Sequence, residues 1–407
     1  MSKTSGTNEV LFENLVVQKY GGATLAEPRL VRAAAERVHD HSRKGPLIVV
    51  VSAMGTTTNS LIDLASQVSR RPARRELDML LSVGERISMS LMSMALQDLG
   101  ASAISFTGSQ AGILTDDDHF NAKIIDVKAH RVQDALKAGK IVILAGFQGV
   151  SPVTKEITTL GRGGSDVTAV ALAAAFGARR CEILKEVPAI LTGDPRVVPE
   201  ARPLRALGYD ELLEMTFWGA KVLHHRSVEL ARSREVNLYI GPAADEEAQG
   251  TVVGKGVSMF EAHRPLSLNS HESVLEIELV EGTPDEALKS FRDELTKLQI
   301  AAPQLLSWSG RSGQNRILVT APQEILKAIR EALSRSNTPR VTGGDLCSVT
   351  MTCSGGVGTE LSGQILENLK KQGIIPKELR IGPCSVSVFL ECAQRTEALR
   401  SLHALIP

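Results

Sequence analysis

The sequence predicts an α/β protein: a mostly parallel sheet sandwiched by helices, followed by a second region of smaller repeats. Residues 14–243 alternate short apolar runs with longer helical patterns, which is typical of a parallel sheet covered on both faces. Glycines cluster directly after several of these runs. Beyond residue 265 the pattern changes to two similar units of strands and helices. We therefore expect one large α/β domain and two small ones.

Length and composition agree with this prediction. The chain has 407 residues, which at ~150 residues per domain indicates two or three domains. Lys plus Arg and Asp plus Glu number 46 each, so the formal net charge is zero. A neutral chain lacks the basic excess that binds a phosphate backbone, and an aromatic content of 3% provides few stacking platforms. We expect no nucleic acid as the main partner.

The sequence also favours a cytoplasmic protein. No run approaches the ~18 consecutive apolar residues of a transmembrane helix, and the polar residues 1–15 do not resemble a signal peptide. The five cysteines form no Cys-X-X-Cys pair, which favours buried reduced thiols over a disulfide or a zinc site. We therefore expect no membrane partner.

The first region contains six strand-like runs with helical stretches between them. The glycines that follow them would lie at the carboxyl edge of the sheet, where ligands bind in open α/β folds. The runs are LVVQKY, LIVVVSA, AISF, IVILAGF, CEILK and VNLYIG; the helical stretches include residues 30–38, 88–99 and 227–233; the glycines are Gly21, Gly22, Gly55, Gly108, Gly146, Gly161, Gly163 and Gly164.

The second region follows a connection at residues 244–265 and reads as an internal repeat, with units at 266–340 and 341–407. Each unit is predicted as strand, helix, strand, helix. The strands are 274–279 and 316–321, then 347–353 and 385–391; the helices are 284–298 and 323–335, then 359–373 and 394–405. Such paired units suit a regulatory or dimerising module, although they could equally be packing units only.

The segment VVQKYGGATL at residues 16–25 is the first candidate site. A strand ends at Lys19, and the glycine pair Gly21 and Gly22 follows Tyr20. Glycine pairs let backbone N–H groups approach an oxyanion, and lysine adds a positive charge. A simple turn after the strand remains the alternative.

The segment TTLGRGGSDVTAV at residues 158–170 is the second candidate. A glycine-rich turn with Arg162, Ser165 and Asp166 precedes an alanine-rich helix. The guanidinium fork suits a carboxylate or a phosphate. Ser165 or Asp166 could instead be only the N-cap of the helix, which would not require glycines in front of it.

Three further segments carry polar groups. Glu85 follows a glycine at a helix start, SAMGTTTN contains Thr58 after a strand, and Lys221 precedes a helix. Glu85 could be only a surface residue that favours the helix dipole. His224 and His225 are expected to be helix-start or packing residues rather than metal ligands, and a zinc site is not expected because the sequence has no HExxH motif or Cys/His cluster. Any metal would then arrive as Mg²⁺ with a nucleotide.

Together these segments resemble the aspartokinase family, in family order and over residues 16–231. The second region is similar to the paired ACT domains of that family. The matching segments are QKYGG, SAMGTTT, LDMLLSVGERIS, SFTGSQAG, ILAGFQGV, TTLGRGGSDVTAVALAAAFGA, LTGDPRVVP and GAKVLHHRSVELA.

The resemblance implies the amino-acid-kinase, carbamate-kinase-like fold, with two ferredoxin-like ACT units after it. It implies ATP-dependent phosphorylation of the β-carboxylate of L-aspartate with Mg²⁺, on the route to lysine and threonine, and a homo-oligomer that dimerises through the ACT units. The residues that it implies are Lys19, Arg162 and Asp166 in catalysis; Thr58, Glu85, Arg162, Gly163, Gly164 and Ser165 at the substrate; and Lys19, Tyr20, Gly21, Gly22, Lys185, Glu186, Leu191, Asp194, Arg196 and Lys221 at the nucleotide.

The resemblance further implies individual roles. Lys19 would neutralise the transferring phosphoryl group and Asp166 would position Lys19. Glu85 would hold the substrate's amino group, and Arg162 would clamp a substrate carboxylate. Lys221 would lie beside the nucleotide. No general base is needed, because the attacking carboxylate is already an anion.

The nucleotide segment KEVPAILTGDPR departs from the family pattern. Lys185 and Glu186 replace the usual hydroxyl and Asp, and Leu191 replaces the usual aromatic residue, whereas Asp194 and Arg196 are retained. We expect altered nucleotide affinity or base preference. Alternatives to an active aspartate kinase are therefore a catalytically weak regulatory subunit, or a kinase for an aspartate analogue.

The ACT-like region departs further. Ala301, Pro303, Ser307 and Trp308 stand where family members carry an effector-binding carboxylate and amide, and Pro383 falls where a polar strand is typical. We expect Pro383 to remove a hydrogen-bond donor from that strand. An amino-acid effector remains possible, but inhibition by lysine plus threonine is expected to be lost or retuned.

Overall fold

A computed structural model describes residues 12, 14–243, 249–255, 264–280, 282–298, 300–311, 314–334 and 339–407. The described residues form two compact units. The first lies within Met1–Ile190, Pro203–Thr216 and Lys221–Phe260, and the second within Leu191–Arg202, Phe217–Ala220 and Glu261–Pro407. Most of the predicted connection at 244–265 lies outside the described residues, but its middle forms a strand.

The first unit is built on a large sheet, in which the described strands follow the order β12-β14-β13-β9-β1-β2-β6-β3. The six predicted apolar runs supply β1, β2, β3, β6, β9 and β13, and each of them pairs in parallel with a neighbour from this set. The described strands up to residue 255, in the large sheet and outside it, are β1 Val16–Tyr20, β2 Leu47–Val51, β3 Ala103–Phe106, β4 Ile113–Thr115, β5 Ile124–Val127, β6 Ile141–Ala145, β7 Gln148–Val150, β8 Ile157–Thr159, β9 Arg180–Lys185, β10 Ile190–Leu191, β11 Pro203–Leu204, β12 Ala206–Leu207, β13 Leu238–Pro242 and β14 Thr251–Val253. Strands β10 and β11 pair with each other in a two-stranded sheet.

Helices cover both faces of this sheet. Helices α1 and α4 pack with one face, whose buried members include Val16, Tyr20, Val49 and Ile143. Because strand side chains alternate, Lys19 points to the opposite face, where α6 packs against β1. The helices are α1 Pro28–Ser42, α2 Thr57–Val68, α3 Arg74–Leu81, α4 Val83–Asp98, α5 His130–Lys137, α6 Gly164–Phe176, α7 Tyr209–Phe217 and α8 His225–Ser233.

A second, smaller sheet lies in the same unit, with the order β5-β4-β7-β8 among the described strands. Its strands are short and of mixed polarity, so the sequence patterns did not predict it. Strand β8 leads directly into the glycine-rich segment before α6. This sheet therefore supports one of the candidate site segments.

One helical stretch, Arg74–Asp98, is long and apolar enough to cross a membrane by length and composition alone, and half of its most apolar part is buried inside the fold. It contains α3 and α4, and it buries the carboxyl side chains of Asp78 and Glu85. Charged groups of this kind are costly in lipid. The stretch therefore has the character of a core helix of a folded domain.

The second unit is an antiparallel sheet with the order β16-β17-β15-β18-β20-β19 among the described strands. The order is symmetric about the β15–β18 pair, as an internal repeat requires. The elements are β15 Arg264–Leu279, α9 Pro284–Lys297, β16 Gln304–Arg311, β17 Gln314–Thr320, α10 Gln323–Leu333, β18 Arg340–Ser354, α11 Thr359–Lys371, β19 Glu378–Ile381, β20 Ser385–Glu391 and α12 Arg395–His403.

Each half of this unit has its own core. Leu275, Ile277 and Phe291 belong to the core under α9 and α10, whereas Val388 and Leu402 belong to the core under α11 and α12. The mostly parallel α/β domain and the second repeated region together confirm the predicted fold class.

Two details of the repeat were wrong. Each half contains an additional edge strand, β16 or β19, because these strands are partly polar and resemble loops in sequence. Pro383 does not remove a ladder donor: it lies in the turn between β19 and β20, where Gly382 donates to the Ser385 carbonyl at 2.8 Å. Proline is well tolerated in such a turn.

Candidate active site

Parallel pairing brings the ends of several strands to one edge of the large sheet. Tyr20, at the end of β1, is in register with Val51 and with Leu184. The loop residues after these strands meet there: Gly55 N–H donates to Gly22 O at 2.9 Å, and a Cβ on Gly22 would lie 2.7 Å from Ala53 O. The predicted segments around Gly22 and Thr58 therefore begin at the same edge, in close backbone contact.

A buried ion pair lies at this edge. Lys19 Nζ is 2.6 Å from Asp166 Oδ1, and both side chains are more than 90% buried. Burial alone would raise the pKa of Asp166, but the ammonium groups of Lys19 and Lys185 outweigh it and hold the pKa below its ordinary value. Asp166 is therefore ionised, and it fixes the position of the Lys19 ammonium group.

Glu85 lies in the first turn of α4, and only 3% of it is exposed. Ala53 N–H donates to its Oε1 at 3.0 Å, whereas Oε2 has no hydrogen-bond partner among the described residues. Burial raises the pKa of Glu85 to about 7, opposed by the backbone N–H groups and by nearby Lys19. A buried carboxylate with one open oxygen is suited to receive a cationic group.

The turn before α6 depends on glycine. Gly163 has φ +72° at the N-cap, and a Cβ there would lie 2.1 Å from the His224 Cβ. A Cβ on Gly146 would lie 2.8 Å from that of Ser165, which is itself buried. Close packing thus holds the start of α6, with Gly164, Ser165 and Asp166, against the end of β6.

The structure gives the burial of three further predicted residues. Arg162 is exposed in the turn before α6, Thr58 is half-buried in the first turn of α2, and Lys221 is exposed in the loop between α7 and α8. Their parts in binding stay predictions.

The predicted nucleotide residues are divided between the two units. Lys185 ends β9, is half-buried and is influenced by the charges of Asp166 and Lys19, whereas Glu186 is exposed. Burial lowers the pKa of Lys185, and Asp166 opposes that effect. Leu191, Asp194 and Arg196 belong to the second unit.

Asp194 and Arg196 contact each other in a two-pronged pair. Arg196 Nε and Nη2 lie 3.0 and 2.6 Å from the two Asp194 carboxylate oxygens. The Tyr20 side chain is fully buried in the core on the face opposite Lys19, which leaves its backbone as the part that can face a ligand.

Sequence reasoning missed several buried polar residues. Gln18 donates to Glu182 at 2.8 Å inside the large sheet, and Asp78 accepts from Thr159 at 2.5 Å beside the small sheet. Asp78 stands seven residues before Glu85 in a helical stretch, and this spacing of about two turns was the available signal. His224 is the N-cap of α8 and accepts from Arg226 N–H, as predicted for a helix start.

A parallel α/β sheet with a buried lysine–aspartate pair and a glycine-rich helix start at its carboxyl edge defines a class of phosphoryl-transfer domain. Residues 14–242 match the model of the amino acid kinase family. An aspartokinase of Mycolicibacterium smegmatis is 54% identical over 240 residues, which are 59% of this chain and 57% of the relative. The chain thus spans 57% of the length of that curated relative.

A longer match extends through the second unit. An aspartokinase of Corynebacterium glutamicum is 38% identical over 402 residues, covering 96% of this chain and 95% of the relative. The structure of E. coli aspartokinase III in complex with aspartate and ADP has a TM-score of 0.78 at 21% identity, covering 96% of this chain and 99% of the other, and this likeness shows the fold. The chain belongs to the amino acid kinase family and, within it, to the aspartokinases. The family predicted from the sequence is confirmed.

Proposed function

We propose that the protein is an aspartate kinase, which transfers the γ-phosphoryl group of ATP to the β-carboxylate of L-aspartate and releases 4-phospho-L-aspartate and ADP. The observation that carries this proposal is the buried Lys19–Asp166 pair beside the buried Glu85 carboxylate, in a chain of the aspartokinases. Two groups that suit a phosphoryl anion and a substrate ammonium are thus placed near each other.

The chemistry needs charge neutralisation rather than proton removal. A carboxylate oxygen of aspartate attacks the γ-phosphorus, the bond from that phosphorus to the β–γ bridging oxygen breaks, and ADP leaves. Lys19, held by Asp166, neutralises the charge on the phosphoryl oxygens during transfer. The backbone N–H groups of Gly21 and Gly22 lie at the same strand end and add donors.

Aspartate is recognised by its α-ammonium group and by a carboxylate group. Glu85 receives the α-ammonium group on its open oxygen, and Arg162 binds a carboxylate with its guanidinium fork. Ser165 and Thr58 complete the substrate site, with the backbone of Gly163 and Gly164. This arrangement selects an amino acid over a simple dicarboxylate.

Magnesium enters with the nucleotide. No group of three or more His, Cys, Asp or Glu side chains that could hold a metal ion occurs among the residues described. Mg²⁺ bound with ATP would supply charge neutralisation, and Asp166 is a carboxylate that would suit it. The residues of the first unit proposed at the nucleotide are Tyr20 (through its backbone), Lys185, Glu186 and Lys221. The role of Leu191, Asp194 and Arg196 stays the prediction made from the sequence.

The changed segment at Lys185 and Glu186 is proposed to retune nucleotide use. Lys185 adds a half-buried ammonium group near Lys19 and Asp166, which strengthens the positive potential at the phosphates. We expect the variant Lys185→Ser to raise the KM for ATP, because it removes that positive charge, and to leave the KM for aspartate within about twofold. An unchanged KM for ATP, together with an unchanged preference for ATP over GTP, would contradict this role of Lys185.

The second unit is proposed as a pair of ACT domains that dimerise and that respond weakly or differently to lysine and threonine. Ser307 donates to Glu378 at 3.0 Å and is therefore already engaged. The domain limits 14–243, 244–265, 266–340 and 341–407 stay predictions, as does a cytoplasmic location. Strong inhibition by millimolar lysine plus threonine would contradict the regulatory part, and a monomer by light scattering would contradict the dimer.

The activity is tested by trapping the product with hydroxylamine. Purified protein with aspartate, MgATP and hydroxylamine should form the hydroxamate, and the rate should depend on both substrates. Folded protein that forms no hydroxamate, with ATP or GTP, would contradict the proposal and favour the regulatory subunit. Hydroxamate formed only from an aspartate analogue would favour the other alternative.

A further inference from the structure

Asp78 is a fully buried carboxylate in α3 with donors on both oxygens. Thr159 Oγ1 donates to Oδ1 at 2.5 Å, His119 Nδ1 lies 2.6 Å from Oδ2, and Phe120 N–H donates to Oδ1 at 3.1 Å. The three donors come from the end of β8 and from the turn at residues 118–121. Asp78 therefore joins three segments that are far apart in sequence.

The donors are attached to the glycine-rich turn before α6. Thr159 stands three residues before Arg162. Phe120 has φ +74°, and its carbonyl lies directly beneath Gly161, where an added Cβ would be 2.9 Å from the oxygen. The Asp78 carboxylate thus fixes the turn at residues 118–121, which packs against the glycine-rich turn that contains Arg162.

Asp78 is also connected to Glu85, through the helical stretch that contains both residues. Helix α3 continues through Ser82 into α4, and Glu85 lies about two turns beyond Asp78. The Ser82 carbonyl accepts from the buried Gln148 side chain at 2.9 Å, and Gln148 is in register with Thr159. The helical stretch is thus tied to the same small sheet at a second point.

Arg226 clamps the same turn from α8. Its guanidinium donates to the Leu160 carbonyl at 2.7 Å, to the Ala122 carbonyl at 2.9 Å and to Asn121 Oδ1 at 3.2 Å. The turn beneath Gly161 is therefore held from two sides. Because the turn is not a loose loop, a shift of the Asp78 carboxylate would move the turn and, with it, Arg162.

We propose that Asp78 is a positioning residue that sets the separation between Glu85 and Arg162, and with it the fit of aspartate. This inference rests on the proposed function, in which these two residues receive the ammonium and carboxylate groups of the substrate. Misplacement of a binding group by ~1 Å can cost ~100-fold in rate. Asp78 acts through the segments that it joins and does not touch substrate.

The test compares the variant Asp78→Asn with wild type and with a matched control. Thr158→Val removes a buried hydroxyl pair with Thr115, at 2.6 Å in the same small sheet, but does not touch the Asp78 carboxylate. Asp78→Asn should raise the KM for aspartate at least ~10-fold and leave the KM for ATP within about twofold. Thr158→Val should leave both constants within about twofold.

Aspartate-dependent thermal stabilisation provides a readout that does not need turnover. It should be reduced in Asp78→Asn and kept in Thr158→Val. Should Asp78→Asn fail to fold, Thr159→Val, which removes one donor to the carboxylate, should give the same selective loss, and Thr159→Ser should restore it.

Equal effects of Asp78→Asn and Thr158→Val on both constants, or a parallel rise of both KM values, would overturn the inference. An inactive wild type that is still stabilised by aspartate would contradict the kinase proposal alone, because thermal stabilisation still decides the role of Asp78. A wild type that neither turns over nor binds aspartate would overturn both.

Discussion

The Glu85 carboxylate is ionised only part of the time near neutral pH, because burial raises its pKa to about 7. The neutral acid cannot attract an ammonium group as strongly as the carboxylate does. Bound substrate, in turn, should favour the ionised form and lower the pKa of Glu85. The affinity for aspartate should therefore change across the neutral range, where few other side chains titrate.

We expect the KM for aspartate to rise as pH falls below about 7, while the KM for ATP changes little. The reason is protonation of Glu85 in the free enzyme. Both constants should be measured between about pH 5.5 and 8.5, with Glu85→Gln as the comparison. A KM for aspartate that is flat over this range, or that falls with falling pH, would argue against this role.

The same carboxylate should make the folded protein less stable as pH rises from acidic to neutral values. Between the ordinary pKa of 4.5 and the folded value of about 7, the folded state holds a proton that the unfolded state has lost. Stability from this group therefore falls as pH rises through that window. The advantage of Glu85→Gln in unfolding free energy should grow by roughly 2–3 kcal/mol from about pH 5 to about pH 8. Urea unfolding at both pH values checks this.

Replacing Lys19 by Met should remove both activity and stability. Asp166 would be left as a buried carboxylate with Lys185 as its remaining cationic neighbour, and breaking a buried pair costs ~3–5 kcal/mol. We expect hydroxamate formation to fall at least ~100-fold. Lys255→Met provides the control, because that lysine forms an exposed pair with Glu235 at 2.7 Å. Equal losses of unfolding free energy in the two variants would contradict the stabilising role of the Lys19–Asp166 pair.

Residues with a motif around them could be predicted, and isolated buried ones could not. Lys19, Glu85 and Asp166 stand in glycine-rich or helix-start segments, where a charged residue is unusual enough to notice. Asp78 stands in the highly charged segment RRELDMLL of α3, with no glycine next to it, and its partners lie more than 40 residues away. Only the folded chain brings them together.

Helix α6 begins and ends on glycines in left-handed conformations, and the two ends differ in what surrounds them. Gly163 has φ +72° and packs against His224, whereas Gly177 has φ +58° with no atom within 4 Å of an added Cβ. Alanine at Gly177 should cost only backbone strain, about 1 kcal/mol. Alanine at Gly163 should cost more and should also raise the KM for aspartate. Equal losses in thermal stability and unchanged kinetics would contradict the close packing at the start of α6.

At the level of elements, apolar periodicity located what lies in the core. Of the six runs of the large sheet, β1, β2 and β6 are buried throughout and β9 and β13 largely so, whereas β3 is only partly buried. The buried runs are mostly apolar in sequence and are therefore easily recognised. The small sheet and the edge strands β16 and β19 have three to eight residues each and partly polar faces. Their pairing depends on neighbours distant in sequence, so local pattern could not locate them.

At the scale of the whole molecule, the two compact units differ in what they contain. The first contains the groups proposed for chemistry, and the second has the symmetric antiparallel sheet of an internal repeat. Family membership was predictable from ordered motifs over residues 16–231. Effector response was not, because it depends on a few side chains in the part of the chain where motif similarity is weakest.

The proposed activity requires that the β-carboxylate of aspartate attacks the γ-phosphorus of ATP in this protein. Aspartate labelled with ¹⁸O in its β-carboxylate tests it directly when the product is trapped with hydroxylamine. Hydroxylamine attacks the acyl carbon, so the phosphate released should carry one ¹⁸O atom, seen as an upfield-shifted signal by ³¹P NMR. Phosphate without ¹⁸O, released at the same rate with or without aspartate, would show hydrolysis of ATP instead and would contradict phosphoryl transfer to aspartate.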